Sequence, residues 1–136
     1  MNKESGSTEA SKPVPHPTPE SQPYWDGAAE GKLRLQRCTQ CGTVRHYPQL
    51  VCTRRYSLGV EWIEASGRGT VHSWTVAHHA FHPAFKADLP YTLLVVDLEE
   101  GPRAMGRLDA ACQARLRIGL PVQLQFANAL PVFKAA

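Results

Sequence analysis

No stretch of this 136-residue chain approaches the roughly 20 apolar residues of a membrane-spanning helix. The first 21 residues contain no Phe, Trp or Tyr, yet they hold four prolines (Pro13, Pro15, Pro17 and Pro19) among Ser, Thr, Glu and Lys. Such a segment cannot bury enough apolar surface to offset its ordering entropy, so residues 1–21 read as a disordered tail. It also lacks the apolar centre of a signal peptide, and the expected location is the cytoplasm. There are only four cysteines, two of them in a Cys-x-x-Cys pair, which in an intracellular chain points to metal or redox work rather than to disulfides. No internal repeat is present. No nucleophile, base and orienting acid stand at a spacing that spells out a catalytic set, which argues against an independent enzyme.

Acidic residues are missing locally. From Lys32 to Arg55 there are six cations (Lys32, Arg34, Arg37, Arg45, Arg54, Arg55) and no Asp or Glu. The chain has 15 basic residues, so the rest carries nine against twelve acidic ones. A basic module on a mildly acidic body suits a phosphate-bearing partner such as a nucleic acid or a nucleotide-like cofactor, or an acidic protein face. The same charges also suit a solvated surface with no partner.

What is present begins with spacing. Cys38-Thr-Gln-Cys41 is followed after ten residues by Cys52-Thr-Arg-Arg55, and C-x2-C-x10-C is the start of a zinc ribbon. Arg55 occupies the place of the fourth cysteine. Two readings follow: a three-thiolate zinc site completed by water, His46 or a partner residue, or a metal-free ribbon that keeps only the fold. Arg55 cannot deprotonate to relieve repulsion beside a cation. Cys112 stands apart in an apolar stretch and reads as a small buried hydrophobe.

Around these cysteines the chain divides into a helix at 22–31, a ribbon at 32–58 and a β domain at 59–136. Ser21 or Asp26 can cap the helix, and Gly31 ends it. Its Tyr24 and Trp25 need a surface, either the chain's own body or a partner. Leu33 and Leu35 alternate with Arg34 and Gln36 as a strand. From Val60 strand formers dominate, interrupted by Ser66-Gly-Arg-Gly69, where a bulge or bend is expected. Tyr91–Leu98 is a nearly continuous apolar strand, residues 109–117 hold a short helix capped by Asp109, and Val122, Leu124 and Phe126 share one strand face. Four or five strands, one of them long and bent, with a helix between the third and fourth, make a small Greek-key barrel of OB type. His78, His79 and His82 fall in a loop joining the first two barrel strands, where Pro83 argues against the helix that would align two of them for metal.

The order of parts, with Pro23-Tyr-Trp-Asp-Gly27, Leu35-Gln-Arg-Cys-Thr-Gln-Cys-Gly42, Arg45-His-Tyr-Pro48, Gly67-Arg-Gly-Thr-Val71, Ser73-Trp-Thr-Val76, Phe81-His-Pro-Ala-Phe85 and Gly101-Pro-Arg-Ala-Met-Gly106, resembles a family of zinc-ribbon-plus-OB-fold proteins associated with acyl-CoA metabolism, long classed as a domain of unknown function. The resemblance spans about Pro23 to Phe133. It implies a mainly β chain with an N-terminal helix, a rubredoxin-like ribbon and a five-stranded OB barrel. It also implies a non-catalytic subunit of a hetero-oligomer, whose thiolase-like, aldolase or acyl-CoA hydratase partner holds the reacting residues while this chain scaffolds it and helps bind CoA. The metal ligands carried over are Cys38, Cys41 and Cys52. For CoA, guanidinium donors for phosphate come from Arg34, Arg37, Arg45, Arg54, Arg55 and Arg68, and an acyl-lining surface from Trp74, Phe81, His82 and Phe85. Tyr24 and Trp25 are candidate partner contacts. A nucleic-acid-binding ribbon and barrel is the alternative, although the strands lack dense interleaving of cations with aromatics.

Overall fold

The computed structural model describes residues 13–54 and 56–136. Helix α1 (Gln22–Ala29) opens with Pro23 in its first turn, where a missing N–H costs nothing. Tyr24, Gly27 and Ala28, three and four residues apart, form its buried face. The helix ends as a Schellman motif: Lys32 N–H reaches Gly27 O (2.8 Å), Gly31 N–H reaches Ala28 O (3.1 Å), and Gly31 takes the left-handed φ of +78°. Ser21 precedes the helix, but its side chain makes no capping bond to it.

Strands β1 (Arg34–Cys38), β2 (Val44–Arg45) and β3 (Val60–Glu64) form an antiparallel sheet in the order β2-β1-β3. Strand β3, assigned to the barrel domain from sequence, pairs instead along the whole of β1, with Leu35 opposite Ile63. The chain crosses to the barrel at Ala65–Gly67. There β4 (Arg68–Ala77), β5 (Tyr91–Leu98), β6 (Arg103–Leu108), β7 (Pro121–Ala127) and β8 (Leu130–Ala135) close in the order β4-β5-β6-β8-β7. Closure comes from β7 pairing with β4 and from a short parallel pairing of β6 with β8 at Arg107–Leu108. This is the expected five-stranded barrel.

The bend in β4 is displaced from its expected place. The register shift lies between Val71 and Ser73, not at the glycines. Gly69 has a different reason to be glycine: a Cβ there would run into the Asp97 carbonyl and lie 2.7 Å from Val96 Cγ1. The expected helix at 109–117 is a 3-10 turn, Ala110–Arg115, whose first N–H groups are served by Asp109 accepting from Ala111 N–H at 3.1 Å.

One core runs through both modules. Tyr24, Leu33 and Leu35 belong to the same buried cluster as Val71, Leu94, Val96, Val122 and Phe133. In β5 the apolar run resolves into alternation, with Thr92, Leu94, Val96 and Leu98 facing inward. No helix among the described residues is long and apolar enough to cross a membrane.

Candidate functional site

The ribbon is built from two halves with one backbone pattern. In the first, Cys38 N–H donates to Thr43 O (2.9 Å) and Gly42 N–H to Cys38 O (2.8 Å). In the second, Cys52 N–H donates to Ser57 O (3.0 Å) and Tyr56 N–H to Cys52 O (2.7 Å). Gly42 and Tyr56 stand at equivalent places, with φ of +74° and +53°. A non-glycine residue in that conformation costs about 1–2 kcal/mol, so the second half holds its shape against strain. Arg55 lies outside the described residues; in sequence it stands three residues after Cys52, as Cys41 stands three after Cys38.

The pattern brings three sulfur atoms together. The Sγ atoms of Cys38, Cys41 and Cys52 all lie within 4.8 Å of one another, with Cys41 and Cys52 at 3.7 Å. Zn–S bonds of ~2.3 Å at the tetrahedral angle set sulfur atoms about 3.8 Å apart, so the three thiols fit a shared metal. Gln40 N–H points at Cys38 Sγ (3.4 Å), and the Thr43 hydroxyl lies 3.0 Å from Cys41 Sγ. The Thr43 hydroxyl and backbone are the main reasons the Cys41 thiol is lowered to about 6, which favours the thiolate form that metals take.

Among the described residues no His, Asp or Glu donor joins the three thiols. His46, expected as one completing ligand, is used elsewhere. Its ring packs against Tyr47 (3.9 Å between centroids) and Tyr24 (5.3 Å), and burial lowers it to about 4.

Three of the described candidate arginines are paired with carboxylates. Arg37 pairs with Glu61 (2.8 Å), Arg68 with Glu99 (2.9 Å) and Arg34 with Glu30 (3.1 Å). Arg45 is 9% exposed and bonds Gln36 Oε1 (2.7 Å) and Gln49 O (3.1 Å), an internal role. Arg54 is exposed. Tyr24 is 5% exposed, so its ring is taken up by the chain's own core, while Trp25 packs edge-on against it and stays half-buried.

A cleft of about 830 Å³ opens on the barrel instead, between the 3-10 turn, β5, β7 and β8. Its floor is Leu108, Phe126 and Val132, and its cations are Arg107 and Lys134, neither of which the sequence singled out. Arg107 lies over the Tyr91 ring (4.1 Å) and bonds Asp88 (3.2 Å). Arg107 reaches the Lys134 side of the cleft only through the parallel pairing of β6 with β8, so no local motif marks the two together. Phe85 lines a second, apolar cleft of about 470 Å³ with Leu93, Met105 and Pro131. Trp74 (39% exposed) and Phe81 (95% exposed) line neither.

The histidine loop contains a 3-10 turn, Pro83–Asp88, which His82 caps by accepting from Ala84 N–H through Nδ1 (3.1 Å). His78 and His79 are exposed. Cys112 is half-buried against the core, and its sulfur accepts from Ala135 N–H (3.4 Å).

Comparison with known proteins meets this architecture in both modules. Residues 25–55 match the ChsH2 rubredoxin-like zinc ribbon domain, and residues 62–127 the ChsH2 C-terminal OB-fold domain. A probable enoyl-CoA hydratase alpha subunit of Thermomonospora curvata is 38% identical over 118 residues, which is 83% of this chain and 36% of that protein. The chain thus spans about a third of the length of that relative. A DUF35 domain-containing scaffold protein of Methanothermobacter thermautotrophicus is 31% identical over 95 residues, covering 69% of this chain and 71% of that one. Among solved structures, a chain of the Ltp2-ChsH2(DUF35) aldolase superposes with a TM-score of 0.77 at 35% identity, covering 90% of this chain and 98% of that chain. With both modules matched in order, the chain belongs to the DUF35 family, as a ChsH2-type zinc ribbon followed by a ChsH2-type OB-fold domain.

Proposed function

We propose that this chain is an accessory, non-catalytic subunit that assembles with an aldolase, thiolase-like or acyl-CoA hydratase partner and helps bind the CoA portion of an acyl-CoA. The observation that carries the reading is the likeness to the ChsH2 chain of an aldolase complex, which this chain covers almost end to end. The hydratase alpha subunit among its relatives supports the same class of partner.

The surface is compatible with that role. Trp74 and Phe81 offer large apolar groups to a partner, and Phe81 stands almost free on its loop. Buried aromatic anchors carry most of the free energy of such interfaces. The barrel cleft offers CoA an apolar floor beside Arg107 and Lys134 for phosphate. Arg107 is held in place by Tyr91 and Asp88, so little side-chain entropy is lost on binding. Zinc, held by Cys38, Cys41 and Cys52, supplies structural cross-linking of the two ribbon halves.

The test is a tagged pull-down from the native host with mass spectrometry of the eluate, followed by calorimetric titration of the isolated complex with CoA. A stoichiometric partner of one of these enzyme classes, with CoA binding weakened by Arg107→Ala, is the expected result. A partnerless monomer that binds no CoA ester overturns the reading.

A further inference from the structure

A closed structural zinc site has four protein ligands, whereas sites that exchange a donor keep three. This ribbon has three thiols in ligand geometry and an arginine at the fourth place in sequence. An arginine side chain stays protonated and cannot ligate. No imidazole or carboxylate among the described residues substitutes for it. Thr43 is engaged with Cys41 Sγ, and the Tyr56 side chain, next along the second half, is turned to solvent at 81% exposure.

We propose that the ribbon holds zinc through Cys38, Cys41 and Cys52 and takes its fourth donor from solution, as water or a small thiolate, so that the coordination sphere is open and exchangeable. Charge supports this. Three thiolates on a dication leave one net negative charge, and a fourth anionic donor makes two. Arg54, two residues after Cys52 in sequence, is exposed and adds positive charge to the second half. Exchange also has a structural basis: the first half contributes Cys38 and Cys41, but the second is tied to the metal by Cys52 alone. This reading concerns the metal only and holds whichever partner the chain serves.

Cobalt(II) is the probe, added to the full chain. The wild type is expected to take up a single cobalt, with thiolate-to-cobalt charge-transfer and tetrahedral d–d absorption. Adding imidazole or 2-mercaptoethanol then shifts the d–d bands. In Arg55→Cys, which restores four thiolates, the same additions leave the bands in place, and zinc binding measured by chelator competition tightens roughly 100-fold. Two results overturn the proposal: a wild-type chain, folded by circular dichroism, that takes up no metal; or wild-type d–d bands indifferent to added donors, which means that a protein group closes the site. The wild-type titration decides the matter even if Arg55→Cys does not fold.

Discussion

Gln36 is 2% exposed on a strand whose alternation marks it as outward, because β1 is covered on both faces. Its Oε1 accepts from Arg45 Nε (2.7 Å) and from Gln49 N–H (2.8 Å), tying β2 and the following loop to β1. Gln36→Leu leaves a buried guanidinium and a backbone N–H without that acceptor, and we expect a loss of about 3 kcal/mol in urea denaturation. His46 makes a second residue-scale prediction. Burial lowers it from 6.5 to about 4, so between those pH values the unfolded chain binds a proton that the folded chain does not. The His46 contribution is therefore fully present above about pH 6.5 and is lost as pH drops toward 4, by about 3 kcal/mol in full. Denaturation midpoints across that window should slope for the wild type and flatten for His46→Phe. The family-like glycines have physical reasons of the same scale. A Cβ on Gly106 would lie 2.7 Å from the Phe133 ring and 3.1 Å from Pro131 O, so that motif records a close approach rather than a ligand.

At the scale of elements, the 3-10 turns and the β4–β5 loop are where local reading met its limit. His82 caps its turn through Nδ1, a role that residue type alone does not separate from acyl contact. Thr92, buried in β5, donates to Gln113 Oε1 (2.8 Å) and pins the second turn over the end of the barrel beside the cleft. The loop carrying Phe81 contributes little to the core, and Phe81 is not in the buried cluster. Phe81→Ser should therefore leave unfolding free energy within about 0.5 kcal/mol of wild type while weakening co-purification of the partner by about tenfold or more. Unchanged co-purification would remove that loop from the interface. The strands themselves were legible because β-branched and aromatic residues and period-two alternation mark them, and the Cys-x-x-Cys spacing marks the ribbon. The Arg107–Tyr91–Asp88 grouping was not legible, because it depends on the register of β5 against β6, which sets Arg107 opposite Leu93 and brings it within reach of Tyr91 and the turn before it.

At the scale of the molecule, ribbon and barrel are not two independent bodies. Tyr24, Leu33 and Leu35 from the N-terminal side share a core with Phe133 and Leu94, and Tyr47 OH accepts from Met105 N–H of β6 at 2.9 Å. We expect a single cooperative thermal transition, and a chelator should lower its midpoint without splitting it, since metal bound only by the folded state stabilises the whole by mass action. Two separated calorimetric peaks would show that the modules unfold apart. The sequence by itself determined the order of parts, the three ribbon cysteines, the arginine that stands for a fourth, and the barrel's strand pattern, because each depends on spacing or periodicity within one segment. Only the tertiary structure decided that β3 belongs with β1, that Arg34, Arg37 and Arg68 are held by carboxylates, and that Arg107 and Lys134 face one cleft. Those outcomes depend on which distant strands meet when the apolar faces are buried together, a choice made by the packing of the whole chain.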